Sequence, residues 1–334
     1  MDDQIKLRII GLFFGQLVGD ALGTRYEFKK KEKVVDKISI DVVDNKLQML
    51  GGGPFNVNAG QYTDDSELAL GIWYQILLKN EYNIDDIARQ FYLWYASMPF
   101  DIGNATRTAF GSGNTRKDML ENAKSNMYSL SNGCLMKISA IGAINFLTTN
   151  AYNVTILAKE ICELTNPNPV CIDMCKCYVR AIEYALKTGD PSIAYKKACE
   201  IAELNITKLL LKESLTRTSP VKLINSEGNI TEVDTDGTYQ GYVGIAFQNA
   251  FYHLLNTKTF NEVMIHTICL GGDTDTNACI AGALFGACVG GTNIPRYWLN
   301  TIMTHTSSKT RIEIYPAMDH QHVYQMLKSK LKKL

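Results

Sequence analysis

Four glycines stand at four-residue intervals, Gly11, Gly15, Gly19 and Gly23, within and just after the apolar segment Ile9–Leu22. Residues four apart share one face of an α-helix, so this spacing predicts a helix with a bare backbone groove along one side. A side chain of one hydrogen lets a second helix approach closely there. Glycine in a helix interior costs about 1 kcal/mol relative to alanine, so close packing or a site must compensate. The first helix is therefore expected at the centre of the fold.

Helical periodicity continues along the chain. Ser66–Leu78 reads as a helix with Leu68, Ile72 and Ile76 or Leu77 inward. Asp85–Ala96, Leu135–Leu147, Val154–Leu164, Val170–Lys187 and Ser192–Ala202 extend the series. Tyr242–Leu255, Thr259–Cys269, Thr276–Gly290 and Arg296–Thr304 close it, followed by a basic helical tail over 320–334. Strand signals are weak, and Val34–Val43 reads as a short ribbon or a loop. Gly51–Pro54, Asn166–Pro169 and Asn225–Tyr239 carry turn and loop composition. No linker or internal repeat divides the chain, so a single all-α domain, a compact orthogonal helix bundle over 1–334, is expected.

The charge balance, 34 basic against 34 acidic residues, argues against a nucleic-acid partner held by counterion release. Membrane association is not expected either. The most apolar stretch, Cys269–Val289, is interrupted by Asp273 and Asp275 and falls short of the ~20 continuous apolar residues of a span. Met1–Arg8 is charged and the apolar run after it is too short for a secretory signal. The nine cysteines are accordingly expected as reduced thiols in a cytoplasmic protein. Cys171, Cys175 and Cys177 lack a second Cys or His pair at a zinc spacing, and helix packing is their expected role.

Two segments share an unusual design. Gly60-Gln61-Tyr62-Thr63-Asp64-Asp65-Ser66-Glu67 and Gly271-Gly272-Asp273-Thr274-Asp275-Thr276-Asn277 each place Thr and Asp at a helix start after glycine. Either alone reads as a helix cap. Together, Asp64, Asp65, Asp273 and Asp275 with the hydroxyls of Thr63 and Thr276 form an oxygen-only donor set suited to hard cations. In an extended approach, Asp273 and Asp275, two apart, fall on one side. If the two helix starts converge, two divalent ions would neutralise the four carboxylates.

At these residues the chain resembles the ADP-ribosylglycohydrolase family, especially its dinitrogenase reductase-activating glycohydrolase branch. The resemblance rests on an ordered set: Gly19–Gly23 followed by Glu27, Gly51–Pro54 leading into Thr63-Asp64-Asp65, Pro99–Thr106, Ser131–Lys137, Gly241-Tyr242-Val243 and Gly271–Thr276. It implies an all-α domain with a central dinuclear Mg²⁺ (or Mn²⁺) site held by Thr63, Asp64, Asp65, Asp273, Asp275 and Thr276. It further implies that Glu27 stands beside the metals and substrate and Asp101 near the ribose, with Glu27 or Asp101 as the catalytic acid/base, and that Gly103, Asn104, Asn132, Gly133, Cys134 and Tyr242 line an ADP-ribose cleft. The implied activity is hydrolysis of the bond between ADP-ribose and a modified protein side chain, arginine favoured, releasing ADP-ribose. Lys137 departs from the arginine expected there, and Cys134 from a serine or other small residue. Without the resemblance, Asp101 reads as a helix cap, the Gly51–Gly53 run as a simple turn, and His320 and His322 as surface residues. The rival readings are an ADP-ribose-binding module without turnover, a protein using the fold structurally, and another dinuclear metal hydrolase such as a phosphatase.

Overall fold

The computed structural model describes residues 2–224, 228–307 and 315–334. Its helices are α1 (Asp3–Gly23), α2 (Lys31–Asp41), α3 (Asp64–Lys79), α4 (Ile84–Ala96), α5 (Asn104–Phe110) and α6 (Arg116–Ala123). They continue as α7 (Ile144–Leu147), α8 (Val154–Glu163), α9 (Pro169–Thr188), α10 (Pro191–Ile201) and α11 (Asn205–Glu213). The last five are α12 (Val243–Asn256), α13 (Phe260–Cys269), α14 (Thr274–Val289), α15 (Arg296–Thr304) and α16 (His320–Lys333). The strands form two small antiparallel ribbons. β1 (Val42–Val43) pairs with β2 (Lys46–Leu47), and β3 (Val221–Ile224) with β4 (Ile230–Val233).

The glycine groove of α1 is filled by α14. A Cβ placed on Gly11 would lie 2.2 Å from the Gly286 carbonyl oxygen, on Gly15 2.2 Å from that of Gly282, and on Gly19 2.1 Å from that of Ala278. At Gly23 it would lie 2.4 Å from the Thr274 oxygen. The pairing runs antiparallel and is mutual, because Cβ atoms on Gly282 and Gly286 would strike the carbonyls of Gly15 and Gly11. The segment Gly11–Gly23 and nearly all of α14 are buried. Such helices are apolar all round and need neighbours on every side. The neighbours of α14 include α9, α12 and α13, while α8 and α10 pack on α9. On the other flank α16 covers α3 with Val323, Leu327 and Leu331, leaving its lysines outside.

Four local expectations change. The segment Val34–Val43 is mostly helix α2, because Val34 and Ile38, four apart, turn into the core while Val35 and Ile40 stay exposed. Those exposed apolar residues masked the helical period. Leu135–Leu147 is not one helix but a 3₁₀ segment, Ser139–Ala143, followed by the single turn α7. Gly142 presses so closely on α9 that a Cβ there would lie 2.3 Å from Ile182 Cγ2. The expected loop at Asn225–Tyr239 contains β4, with Ile224 facing Ile230 in register, while residues 225–227 lie outside the described residues. His320 is buried rather than on the surface. Its Nδ1 lies 3.2 Å from the Tyr62 hydroxyl, and its ring stacks on His305 at 4.9 Å. His322 is exposed as expected. No helix among the described residues is long and apolar enough to cross a membrane.

The backbone contact predicts opposite outcomes for two chemically identical substitutions. Gly15→Ala forces α1 away from α14 and should destabilise the protein by roughly 1–3 kcal/mol, the range for overpacking. Gly71→Ala in α3 meets only Gln90 Cβ at 3.7 Å and Phe91 Cε1 at 4.0 Å. It should stabilise by about 0.5–1 kcal/mol through helix propensity and lost unfolded-state freedom. Equilibrium urea unfolding of both variants checks this, and shifts of equal sign would contradict the close-contact reading.

Candidate active site

The α1–α14 contact sets two acids at one level. Asp20 follows Gly19 on α1, and Asp275 sits in the first turn of α14 beside Gly23. Asp20 is fully buried, and its carboxylate does the capping that the helix-start acids had been candidates for. It accepts from the Thr63 N–H at 3.0 Å, the Thr63 hydroxyl at 3.0 Å and the Ser66 N–H at 2.9 Å. Neither Thr63 before α3 nor Asp273 before α14 makes a side-chain cap bond of its own. Asp64 and Asp65 are therefore not spent on capping α3, whereas Asp275 Oδ1 accepts the Thr276 N–H of the first turn of α14 at 2.9 Å. Asp20 is the residue that sequence reasoning left out of the site. Its signal was a lone carboxylate inside a buried apolar helix, which must find partners.

The approach to α14 depends on glycine. Gly271 and Gly272 have φ of +69° and +74°, a left-handed pair that glycine adopts without strain. The turn lets Gly272 exchange backbone hydrogen bonds with the segment carrying Glu27. Phe28 N–H donates to the Gly272 carbonyl at 2.8 Å, and Gly272 N–H to that of Lys29 at 2.9 Å. Asp275 is thus helical rather than extended, yet both Asp273 and Asp275 reach the cleft.

A second pair of loops closes the far side. Asn132 N–H donates to the Gly241 carbonyl at 2.9 Å, Val243 N–H to that of Leu130 at 2.8 Å, and the Asn132 amide to Asp273 Oδ2 at 2.7 Å. Gly103 N–H donates to Asp64 Oδ2 at 3.2 Å and tethers the Asp101–Thr106 segment. Asp101 is no cap, since Gly103 occupies the N-cap position of α5.

These segments enclose a cavity of about 510 Å³. Glu27, Asp64, Asp65, Asp101, Asp273 and Asp275 line it together with Thr276, Gly103, Asn104, Asn132 and Gly133, and no lysine or arginine among the described residues lies on its wall. Thr63, Cys134 and Tyr242 do not reach the wall. Thr63 spends its hydroxyl on Asp20 and Asp65, Cys134 is buried behind the loop, and Tyr242 donates to the Lys222 carbonyl at 3.3 Å. Lys137 is also behind it, fully buried and bonded to the Gly133 carbonyl and the Thr165 hydroxyl, so it buttresses the loop rather than meeting a phosphate. Gly51–Gly53 forms a turn against Thr24 and Arg25, outside the cavity.

The electrostatics are severe. Carboxylate oxygens of Glu27, Asp101 and Asp275 lie within 4.8 Å of one another. Two full charges at such a distance repel by roughly 3–4 kcal/mol at an effective dielectric of about 20. Burial, with repulsion from Asp273 and Asp64, lifts the Glu27 carboxyl to about 9. Burial beside Asp64 and Glu27 lifts Asp101 to about 10. Burial raises Asp64 to about 7 and Asp20 to about 6, against the amide and hydroxyl donors that hold them down. Asp65 and Asp275 are pushed well above the carboxylate range by burial and by neighbouring acids. Glu27 Oε2 and Asp65 Oδ1 are buried without a hydrogen-bond partner. An oxygen-only, excess-anionic wall with orphaned acceptors fits hard divalent cations.

The family model for ADP-ribosylglycohydrolase matches residues 1–326. Among relatives, the chain is 30% identical to an ADP-ribosyl glycohydrolase of Acanthamoeba polyphaga mimivirus, covering 95% of this chain and 96% of the other. It is 26% identical to the ADP-ribosyl-dinitrogen reductase glycohydrolase of Rhodospirillum rubrum, over 92% and 94% of the two chains. It is 23% identical to the ADP-ribosylarginine hydrolase Tri1 of Pseudomonas putida, over 90% of this chain and 75% of that protein. The match spans nearly the whole length and takes in both acidic helix starts and the loops that close the cleft: the chain belongs to the ADP-ribosylglycohydrolase family.

Proposed function

We propose that the protein is a hydrolase that removes ADP-ribose from arginine side chains of modified proteins, working with two Mg²⁺ ions for which Mn²⁺ can substitute. The observation that carries this reading is the wall of six carboxylates, with no basic residue among the described residues, in a cleft about 510 Å³ in volume. Family membership supports the hydrolysis of ADP-ribose linkages. The Tri1 relative supports the arginine assignment through the name it carries. The free state of the nine cysteines supports a reducing compartment such as the cytoplasm.

In this reading Asp64 and Asp65 hold the cations from α3, and Asp273, Asp275 and Thr276 hold them from α14, with Thr63 behind. When bound, such ions neutralise the acidic wall, grip the ribose hydroxyls and lower the pKa of water. Cleavage passes through an oxocarbenium-like state with positive charge at the anomeric carbon. Glu27 and Asp101, beside the cleft, stabilise that charge when ionised. Their upward-shifted acidities also suit one of them to give a proton to the departing nitrogen and take one from the attacking water. Gly103 and Gly133 line the cleft, and the segments around them would serve the pyrophosphate.

Release of ADP-ribose from an arginine-linked peptide should stop with a chelator and return with Mg²⁺ or Mn²⁺. Asp275→Asn should lower the rate by roughly 100-fold or more, since even outer-shell partners are worth 10–100-fold. It should also reduce the melting-temperature gain on adding Mg²⁺, which reports binding to the native state. Unaltered rate and metal response in that variant would remove Asp275 from the site.

Linkage is tested by comparing arginine- and serine-linked ADP-ribosyl peptides. Turnover of the arginine conjugate is expected, and turnover of the serine conjugate alone would reverse the assignment.

The pH dependence of stability follows from the raised carboxyls. Asp20, Asp64, Glu27 and Asp101 hold protons in the native state at pH values where the unfolded chain has lost them. Unfolding free energy must therefore fall as pH rises. Melting temperature of the chelated protein should drop steadily from about pH 5 to about pH 9, and saturating Mg²⁺ should flatten the slope. A chelated protein that gains stability over that range would show that these acids do not carry raised pKa values.

A further inference from the structure

Behind the Asn132–Gly133 wall, four cysteines from three separate elements meet. Cys134 ends the 3₁₀ turn Asn132–Cys134, Cys162 lies in the last turn of α8, and Cys171 and Cys175 share one face of α9. All four are fully buried. The sulfur atoms of Cys134, Cys162 and Cys175 lie within 4.8 Å of one another, and Cys171, one turn before Cys175 on α9, interacts electrostatically with Cys134. Cys177 does not join them, as its position two residues beyond Cys175 requires. The second pair that sequence spacing failed to supply comes from Cys134 and Cys162, brought in by the tertiary fold.

Lys137 gives the cluster its charge logic. Its ammonium is fully buried, donates to the Gly133 carbonyl and the Thr165 hydroxyl, and makes no ion pair with a carboxylate among the described residues. A buried cation without an anion is costly, and the groups around it able to become anionic are these thiols and, from the cleft side, Asp64. Burial opposes ionisation of Cys134, yet sulfhydryl contacts from Cys162, Cys171 and Cys175 and the Lys137 charge hold its thiol well below the ordinary range. The two positions at which this chain departs from the expected family pattern, Cys134 and Lys137, are therefore neighbours in one site.

We infer that Cys134, Cys162, Cys171 and Cys175 form a buried tetrathiolate site for a structural zinc ion. With Zn–S bonds of about 2.3 Å, tetrahedral sulfurs stand about 3.8 Å apart, so a contraction of about 1 Å or less closes the trio already within 4.8 Å. Zinc with four thiolates carries two negative charges, and the Lys137 ammonium offsets one of them. Four thiols lose their protons to solvent as the ion enters, with no change in oxidation state. The site is separate from the oxygen-lined cleft in donor chemistry and does not depend on the catalytic reading. It ties the loop bearing Asn132 to α8 and α9. Because the cluster is sealed, loading is expected during folding.

The test uses full-length protein made in cells with zinc or with cobalt in the medium. Plasma mass spectrometry of the zinc-grown protein should find about one zinc per chain, retained through dialysis against excess Mg²⁺. The cobalt-grown protein should show intense near-ultraviolet thiolate-to-cobalt charge transfer, which an oxygen-only site does not produce. Cys134→Ser and Cys162→Ser should lose the band, and Cys177→Ser should keep it. Absence of both zinc and the band in the wild-type protein overturns the inference whether or not the variants fold. So does a band that persists in Cys134→Ser and Cys162→Ser, or a disulfide among the four cysteines found by mass spectrometry of unreduced protein.

Discussion

Direct backbone contact between α1 and α14 is the constraint on which the rest of the molecule depends. It brings Asp20 and Asp275 to one level on adjacent helices, and through Asp20 it anchors the start of α3. A helix pair held apart by ordinary side chains would separate by several ångströms, and the carboxylates of α3 and α14 would no longer converge. The glycines lower intrinsic helix stability, and dense packing with burial on every side offsets that loss. Geometry at the cleft is thus set by residues that never touch it.

The cleft itself runs against stability. Six acids share one cavity, and Asp20 stands behind them bonded to α3. Among the described residues nothing in the wall neutralises them, so these acids must be protonated or bear the repulsion when no cation is bound. A site that is electrostatically incomplete without cations ties the shape of the cleft to their presence. Rigid supports surround it: the Gly272 bridge to Lys29, the Asn132 amide on Asp273, and the buried Lys137 under Gly133. Such outer contacts fix where each oxygen points.

The long helices, the glycine groove and both acidic helix starts were legible because each is written in local spacing. Period-four glycines and Thr-Asp runs after glycine keep their meaning in isolation. Asp20 was not legible as part of the site, because its partners Thr63 and Ser66 are remote in sequence and only folding brings them close. Helix α2 was hidden by exposed Val35 and Ile40, which blurred its inward pair Val34 and Ile38. Tyr242 matched the family pattern and Cys134 departed from it, yet neither reaches the cleft wall. The Cys134–Cys162 approach to Cys171 and Cys175 likewise exists only in three dimensions.

The pairing of α1 with α14 also has a temporal meaning. One partner lies in the first 23 residues and the other begins at Thr274, so the central contact has very high sequence separation. Such contacts impose the full loop-closure cost before they return any stabilisation. During synthesis α1 emerges well before α14, its apolar Gly11–Gly23 segment without its complement until the residues between them have left the ribosome. The cleft therefore cannot form on a nascent fragment, and the exposed glycine-lined helix is the segment most in need of shielding from aggregation while translation proceeds.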